Sequence, residues 1–234
     1  MIEIVFFDAG ETILHPYPSF PELFAQTVGR HGHNVEPAQV KEAQGRLGPH
    51  LIEVAEDSGV KEASLSAEAS LEFWTFLYRR LLSELGLDEE LATELYAVFS
   101  DSRSYKLFDD VQPALERLRS DGYRLGLISN FEGWLETMLV ELEIGHVFEV
   151  AVISGLEGVE KPDPRIYELA LDKASVAPGK AVHIGDSLRF DVEPARSVGM
   201  HAVLIDRVGT AGAGGCPTIA SLEELPGVIA KIQP

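Results

Sequence analysis

Four polar groups stand in this sequence where apolar runs end. Asp8 follows the run Ile4–Phe7, Ser129-Asn130 closes the run Arg124–Ser129, and Asp186 follows Ala181–Gly185. Lys161 comes shortly after the run 150–154. Parallel strands present their carboxyl ends at one edge of a sheet, where ligands bind. An aspartate there can act as a nucleophile or as a ligand for a hard cation. Four polar ends at one edge indicate a functional site, because packing alone does not explain them.

The pattern of apolar residues predicts the elements that would carry these groups. Residues 1–14 have a short buried-strand pattern, and residues 15–104 are helical throughout, with apolar positions spaced for one face of a helix. From about residue 105, strand-like runs alternate with helical patterns. The runs are Arg124–Ser129, 150–154, Ala181–Gly185 and His201–Ile205, and the helical patterns are 112–121, 134–142, 165–174 and 191–198.

Apolar strands separated by helices imply parallel pairing with right-handed crossovers. We therefore predict an α/β fold with a doubly wound, Rossmann-like parallel sheet. The core would consist of residues 1–14 and 105–234, and residues 15–104 would form an inserted helical domain. The strand at 1–14 has to join the sheet of the second segment, because it cannot bury both faces against a helical bundle.

Composition narrows the classes of partner. The 234 residues carry a net charge of -19, which argues against a phosphate-backbone binder, so no nucleic acid is expected. An acidic protein with an anionic substrate must gather its few cations, or a bound metal, at one site. The single cysteine, Cys216, excludes an intramolecular disulfide. No apolar stretch approaches the ~20 residues of a membrane span, so we expect a cytoplasmic protein without membrane contact. Its oligomeric state is left open.

The ordered polar segments resemble the four signature segments of the haloacid dehalogenase-like (HAD) hydrolase superfamily. They are Asp8-Ala9-Gly10-Glu11-Thr12, Ser129-Asn130, Lys161-Pro162, and Gly185-Asp186 with Asp191. The resemblance covers the whole predicted core, and the helical insertion lies where that family's helical cap begins. The core is also similar to the subgroup called haloacid dehalogenase-like hydrolase domain-containing protein 3.

The resemblance implies a role for each matching residue. Asp8 would be the nucleophile that forms an aspartyl-phosphate with a small phosphorylated substrate. Mg²⁺ would be held by Asp8, the carbonyl group of Gly10, and Asp186, with Asp191 in support. Lys161 would neutralise charge on the phosphoryl group, and the Ser129 hydroxyl would bind its oxygens. Thr12 and Asn130 belong to the same segments and are further candidate site residues.

Gly10 departs from the pattern of that superfamily's phosphatases, which usually have a second aspartate there. Glycine can offer a carbonyl oxygen but cannot transfer a proton, a function that contributes ~10²–10⁴-fold. Three hypotheses follow: a phosphatase with low turnover or with good leaving groups, a 2-haloacid dehalogenase or phosphonate hydrolase, and a phosphate-binding pseudoenzyme. The retained Gly185-Asp186 favours the Mg²⁺-dependent phosphatase, and Asp8 argues against a pure binder.

Other features have structural interpretations. The glycine-rich segment 209–215 lacks the spacing of a dinucleotide-binding loop and is interpreted as a loop. His183, within an apolar run, is predicted to be a core residue. The aromatic residues at 73–78 are predicted to pack inside the helical domain.

Overall fold

The structure is a computed structural model that describes residues 1–47, 58–209 and 215–232. The chain divides into two compact units. The core unit consists of Met1–Leu14 and Leu107–Pro234, and the helical unit consists of His15–Lys106.

The described residues include eight strands. They are β1 (Ile4–Phe7), β2 (Leu14–Pro16), β3 (Tyr105–Leu107), β4 (Arg124–Ser129), β5 (Val150–Ile153), β6 (Ala181–Gly185), β7 (His201–Ile205) and β8 (Thr218–Ile219). Six of them form one sheet in the order β5-β4-β1-β6-β7-β8, and all neighbours in it are parallel. Strands β2 and β3 pair with each other separately. The predicted α/β parallel-sheet fold is confirmed.

Strand β1 occupies the interior of this sheet, between β4 and β6. Its four residues are fully buried, as expected of a parallel strand covered on both faces. Phe7 lies opposite Leu127 of β4 and Ile184 of β6. The chain segments that follow Phe7, Leu127 and Ile184 therefore lie side by side at the carboxyl edge of the sheet.

The helical unit contains α1 (Phe20–Arg30), α2 (Pro37–Leu47), α3 (Ala67–Glu84) and α4 (Ala92–Phe99) in its described part. Their apolar faces meet in one cluster that includes Phe24, Tyr78 and Leu95. Phe20 and Phe99 stack in it with ring centroids 4.8 Å apart. Tyr78 is thus a core residue as predicted, whereas Trp74 is 37% exposed.

The core unit adds α5 (Val111–Ser120), α6 (Leu135–Glu141), α7 (Ser154–Glu157), α8 (Pro164–Ala174), α9 (Glu193–Ser197) and α10 (Leu225–Ile232). The predicted helix 191–198 differs from the structure, in which a π-helical turn, Leu188–Val192, precedes α9. Ser187 begins this turn, and its hydroxyl accepts a hydrogen bond from the Phe190 N–H at 3.1 Å. The strand predicted at 150–154 ends at Ile153, because Ser154 opens α7.

Residues 210–214 of the glycine-rich segment lie outside the described residues, so its interpretation as a loop stays a prediction. Across residues 1–47, 58–209 and 215–232, no helix has both the length and the apolar character that a membrane crossing requires.

Candidate active site at the carboxyl edge of the sheet

Sheet order brings the first polar groups together. Asp8 follows β1, and its backbone N–H donates to the carbonyl oxygen of Ile184 at 2.8 Å. Ser129 ends β4, the neighbour of β1 on the other side. The Ser129 hydroxyl donates to Asp8 Oδ1 at 3.2 Å, although the two residues are far apart in sequence. Both side chains are buried.

Lys161 supplies a buried positive charge beside Asp8. Its Nζ lies 2.6 Å from Asp8 Oδ1 and 2.7 Å from Asp191 Oδ1. The Lys161 side chain is 3% exposed, so these ion pairs are shielded from solvent. Two buried carboxylates, those of Asp8 and Asp191, therefore share the single ammonium group of Lys161.

Asn130 holds the segment that carries Lys161. Its side-chain Nδ2 donates to the Lys161 carbonyl oxygen at 2.8 Å, and its Oδ1 accepts from the Lys161 N–H at 2.6 Å. A side-chain amide can make such a two-bond contact because it has a donor and an acceptor side by side. Asn130 thus joins the end of β4 to the lysine segment.

Asp191 is enclosed by donors. Besides Lys161, its Oδ1 lies 3.0 Å from His183 Nε2, and its Oδ2 accepts from the Ser187 N–H at 3.0 Å. Burial acts to raise the pKa of the Asp191 carboxyl, but Lys161 and His183 outweigh that effect and hold the pKa well below its usual value. Asp191 therefore stays ionised in the folded protein.

His183 contacts Asp191, and the sequence did not reveal this contact. It is fully buried in β6, as predicted for a core residue, but its ring also bonds Asp191. Tyr167 packs edge-on against it, with ring centroids 5.2 Å apart. The available signal was spacing: His183 and Gly185 are two residues apart in a strand and so face the same side of the sheet.

Asp186 completes a group of carboxylates. Oxygen atoms of Asp8, Asp186 and Asp191 all lie within 4.8 Å of one another, an arrangement that can hold a metal ion. Burial raises the pKa of Asp8, against the effect of Lys161. Although the Asp186 side chain is exposed, loss of hydration among its neighbours and the charges of Asp191 and Asp8 raise its pKa well above the usual value.

The loop after Asp8 contains Gly10, Glu11 and Thr12. Gly10 does not have a positive φ, and no described atom beyond its chain neighbours would come within 4 Å of a Cβ placed there. Glu11 is exposed and has a φ of 53°. Loss of hydration and the charge of Asp8 raise the pKa of Glu11, although Arg207 opposes them. Thr12 is fully buried, and its hydroxyl has no hydrogen-bond partner among the described residues.

Arg207 and Asp110 support this loop, and sequence reasoning missed both. Arg207 follows β7, and its Nη2 donates to the Thr12 carbonyl oxygen at 2.7 Å. The guanidinium group also makes two 3.0 Å bonds to the Asp110 carboxylate and lies 3.8 Å from the centre of the Phe108 ring. Asp110 further accepts from Ser221 Oγ at 2.8 Å. A sequence pattern could not identify the pair, because its members are separated by almost a hundred residues.

Comparison with known proteins identifies the class to which this fold and site belong. A model of the haloacid dehalogenase-like hydrolase family matches residues 2–199, and the chain belongs to that family of hydrolases. The resemblance inferred from the four sequence segments is confirmed.

Three relatives illustrate the range of the family. The chain is 33% identical over 209 residues to haloacid dehalogenase-like hydrolase domain-containing protein 3 of Bos taurus. This match covers 87% of the chain and 82% of that protein. The chain is 38% identical over 133 residues to phosphoserine phosphatase of Thermus thermophilus, a match that covers 56% of this chain and 53% of the relative. A crystal structure of a 2-haloacid dehalogenase from Pseudomonas syringae pv. Tomato DC3000 has a TM-score of 0.62 at 26% identity over 99% of each chain.

Proposed function

We propose that this hydrolase is a Mg²⁺-dependent phosphatase that acts on a small phosphorylated molecule through an aspartyl-phosphate on Asp8. The main support is the surroundings of the buried Asp8 carboxylate. Lys161 donates a hydrogen bond to it, and it has an oxygen within 4.8 Å of oxygens of two further carboxylates. The phosphoserine phosphatase among the relatives supports phosphoryl chemistry over other hydrolase reactions.

The donor set fits a hard divalent cation. Three carboxylates lie close together, and the raised pKa values of Asp8 and Asp186 express the repulsion and desolvation that a cation would relieve. Asp8, Asp186 and the Gly10 carbonyl would hold Mg²⁺, which prefers oxygen ligands. Asp191 would support the site through Lys161 and Ser187, because three protein donors already bond its oxygens. Bound Mg²⁺ would supply charge neutralisation for the phosphoryl group.

The described side chains would have two roles, attack on phosphorus and stabilisation of the negative charge of the phosphoryl group. Asp8 attacks phosphorus, and the bond to the leaving group breaks. Lys161 stays between Asp8 and Asp191 and stabilises the negative charge of the transferring group. The Ser129 hydroxyl, which donates to Asp8 in this structure, would donate to a phosphoryl oxygen. Asn130 acts through Lys161, whose segment it anchors.

Gly10 makes the first step slow for poor leaving groups and the second step slow for every substrate. No side chain at this position can protonate the departing oxygen or take a proton from the attacking water. Positioned acid–base groups contribute ~10²–10⁴-fold, so turnover of simple alkyl esters is expected to be low by about that factor.

The proposal is tested by phosphate release from a panel of small phosphate esters and acyl phosphates, with Mg²⁺ and with a chelator. Asp8→Asn should lower the rate on the order of 10³-fold or more, since it removes the nucleophile. Asp172→Asn makes the same change at an exposed position of α8 and should leave the rate unaltered. Acid-quenched wild-type protein should carry phosphate, and Asp8→Asn should carry none. Equal rates in the two variants would overturn the proposal.

A 2-haloacid dehalogenase is the second candidate, favoured by Gly10 and by the 26% identical dehalogenase structure. In that reaction Asp8 would displace halide from carbon, and water would hydrolyse the resulting ester. The exposed Asp186 beside Asp8 has no assigned part in such a metal-free reaction, which ranks this candidate second. Halide release from 2-haloacids in the presence of a chelator would establish it instead of the phosphatase.

A further inference from the structure

We infer that the site is specialised for phosphoryl donors whose leaving group departs as a stable anion, such as acyl phosphates and phosphates of acidic phenols. This inference rests on the proposed function and names the substrate class of that site. Alkyl phosphate esters, whose leaving oxygen needs a proton, would be the poor substrates.

The first observation is that neither the backbone at position 10 nor its described neighbours require glycine there. Gly10 has no positive φ, and a Cβ there would have no described atom, its chain neighbours aside, within 4 Å. Gly185 provides the contrast, since a Cβ at that position would lie 2.1 Å from Asp191 Cγ. Sterics therefore explain Gly185 but do not explain Gly10.

The second observation is that Asp191, Lys161 and His183, the buried ionisable groups beside Asp8, are already bonded to one another. Asp191 accepts from Lys161, His183 and the Ser187 N–H. Lys161 is held between two carboxylates, Asp8 and Asp191. None of these groups has an atom within 4 Å of a Cβ placed at Gly10. Glu11 carries the carboxyl group next to Gly10 in the sequence. This residue is exposed, and its own backbone has a φ of 53°.

The chemistry of the first step then selects the donor. A carboxylate oxygen of Asp8 forms a bond to phosphorus, the bond from phosphorus to the leaving oxygen breaks, and its electron pair stays on that oxygen. A carboxylate or phenolate accepts this pair readily, whereas an alkoxide needs a proton in the transition state. In the second step water attacks phosphorus, the electron pair returns to Asp8, and both protons of the water end on inorganic phosphate. This second step is common to all donors.

The test measures the rate of Asp8 phosphorylation for acetyl phosphate, a series of substituted phenyl phosphates and glycerol phosphate, each with Mg²⁺. The logarithm of the rate should fall steeply as the leaving group becomes more basic. In Gly10→Asp, glycerol phosphate should gain ~10²-fold or more, up to the contribution of a positioned acid. Glycerol phosphate should gain far more than acetyl phosphate, so the dependence should become shallow.

Gly10→Asn is the matched control, because it adds a side chain of the same shape that cannot donate an acidic proton. It should keep the steep dependence. A shallow dependence in the wild-type protein would overturn this inference while leaving the phosphatase proposal intact. A steeper dependence in Glu11→Gln than in wild type would also overturn it, by identifying Glu11 as the acid. No Mg²⁺-dependent phosphate release from any of these donors would overturn the phosphatase proposal and, with it, this inference.

Discussion

Gly185 leaves the space in which the carboxylate of Asp191 lies. A Cβ at Gly185 would be 2.1 Å from Asp191 Cγ and 2.5 Å from its Oδ2, closer than two non-bonded atoms approach, so one of them would have to shift. Asp191 cannot yield easily, because it is fixed by Lys161 Nζ at 2.7 Å and by the Ser187 N–H at 3.0 Å. The glycine that ends β6 is thus a condition for the buried ion pair of the site.

Gly185→Ala should accordingly damage both stability and activity. Overpacking of this kind typically costs about 1–3 kcal/mol, and displacement of Asp191 would also move Lys161. Urea unfolding and Mg²⁺-dependent phosphate release measure the two effects. Gly179→Ala is the control, since no described atom beyond the chain neighbours comes within 4 Å of a Cβ there and the residue has no positive φ. An equal effect of the two substitutions would contradict the close-contact argument.

Asp8→Asn and Asp191→Asn should change stability in opposite directions at pH 7. The pKa of Asp8 is raised by burial, so the folded state holds its proton more tightly than the unfolded state, whose pKa is about 3.9. Stability is therefore lost as the pH rises above about 3.9 and through the folded pKa. Asp8→Asn removes this loss and should stabilise the protein at pH 7.

The sign is reversed for Asp191, whose pKa Lys161 and His183 lower against the effect of burial. Its stabilisation is present above about pH 3.9 and is lost as the pH falls through the folded pKa. Asp191→Asn should cost about 3 kcal/mol at pH 7, because it breaks a buried pair with Lys161. Thermal unfolding from pH 4 to pH 8 checks both variants. Destabilisation of both at pH 7 would contradict the opposite pKa shifts.

Arg207→Ala should lower stability by about 1.5–3 kcal/mol, as expected for charge-assisted hydrogen bonds. It should also lower kcat, because the guanidinium group holds the Thr12 carbonyl in the loop that follows Asp8. Arg207→Lys should not restore kcat, since an ammonium group cannot reproduce the two-bond contact with Asp110. Added guanidinium at millimolar concentration should partly restore the kcat of Arg207→Ala, which a purely structural loss would not allow.

Arg117→Ala provides the comparison for Arg207. Arg117 and Asp121 lie four residues apart, one helical turn, and form an exposed ion pair. Such pairs contribute about 0.3–0.5 kcal/mol to stability. This variant should keep full activity. Equal losses of stability in Arg207→Ala and Arg117→Ala would contradict the assigned role of Arg207.

Mg²⁺ should raise the unfolding temperature of the wild-type protein. A ligand at 100 times its Kd stabilises the folded state by about 2.7 kcal/mol. Asp186→Asn should abolish most of this effect, because it removes the exposed member of the carboxylate group. Asp172→Asn, at an exposed position of α8, should retain it. An unchanged response to Mg²⁺ in Asp186→Asn would argue against a metal at this group.

The sequence predicted the sheet well because strands buried on both faces have a strong local pattern. Four apolar runs in the sequence have the same first and last residues as the strands β1, β4, β6 and β7. The strand β8 was missed, since two residues carry no periodicity. The start of the last predicted helix was also missed, because a π-helical turn, Leu188–Val192, precedes it and contains the buried Asp191. Local propensity contains no information on that burial.

The sequence by itself determined which residues end the strands, because alternation of apolar runs and helices is a property of neighbours along the chain. It therefore placed Asp8, Ser129 and Asp186 at one edge and showed that Gly10 has no carboxylate. The tertiary structure alone decided that His183 bonds Asp191, that Arg207 holds the Thr12 carbonyl, and that Gly185 is sterically required whereas Gly10 is not. These relationships depend on the distance and direction of side chains from different strands, which are set only when the sheet is assembled.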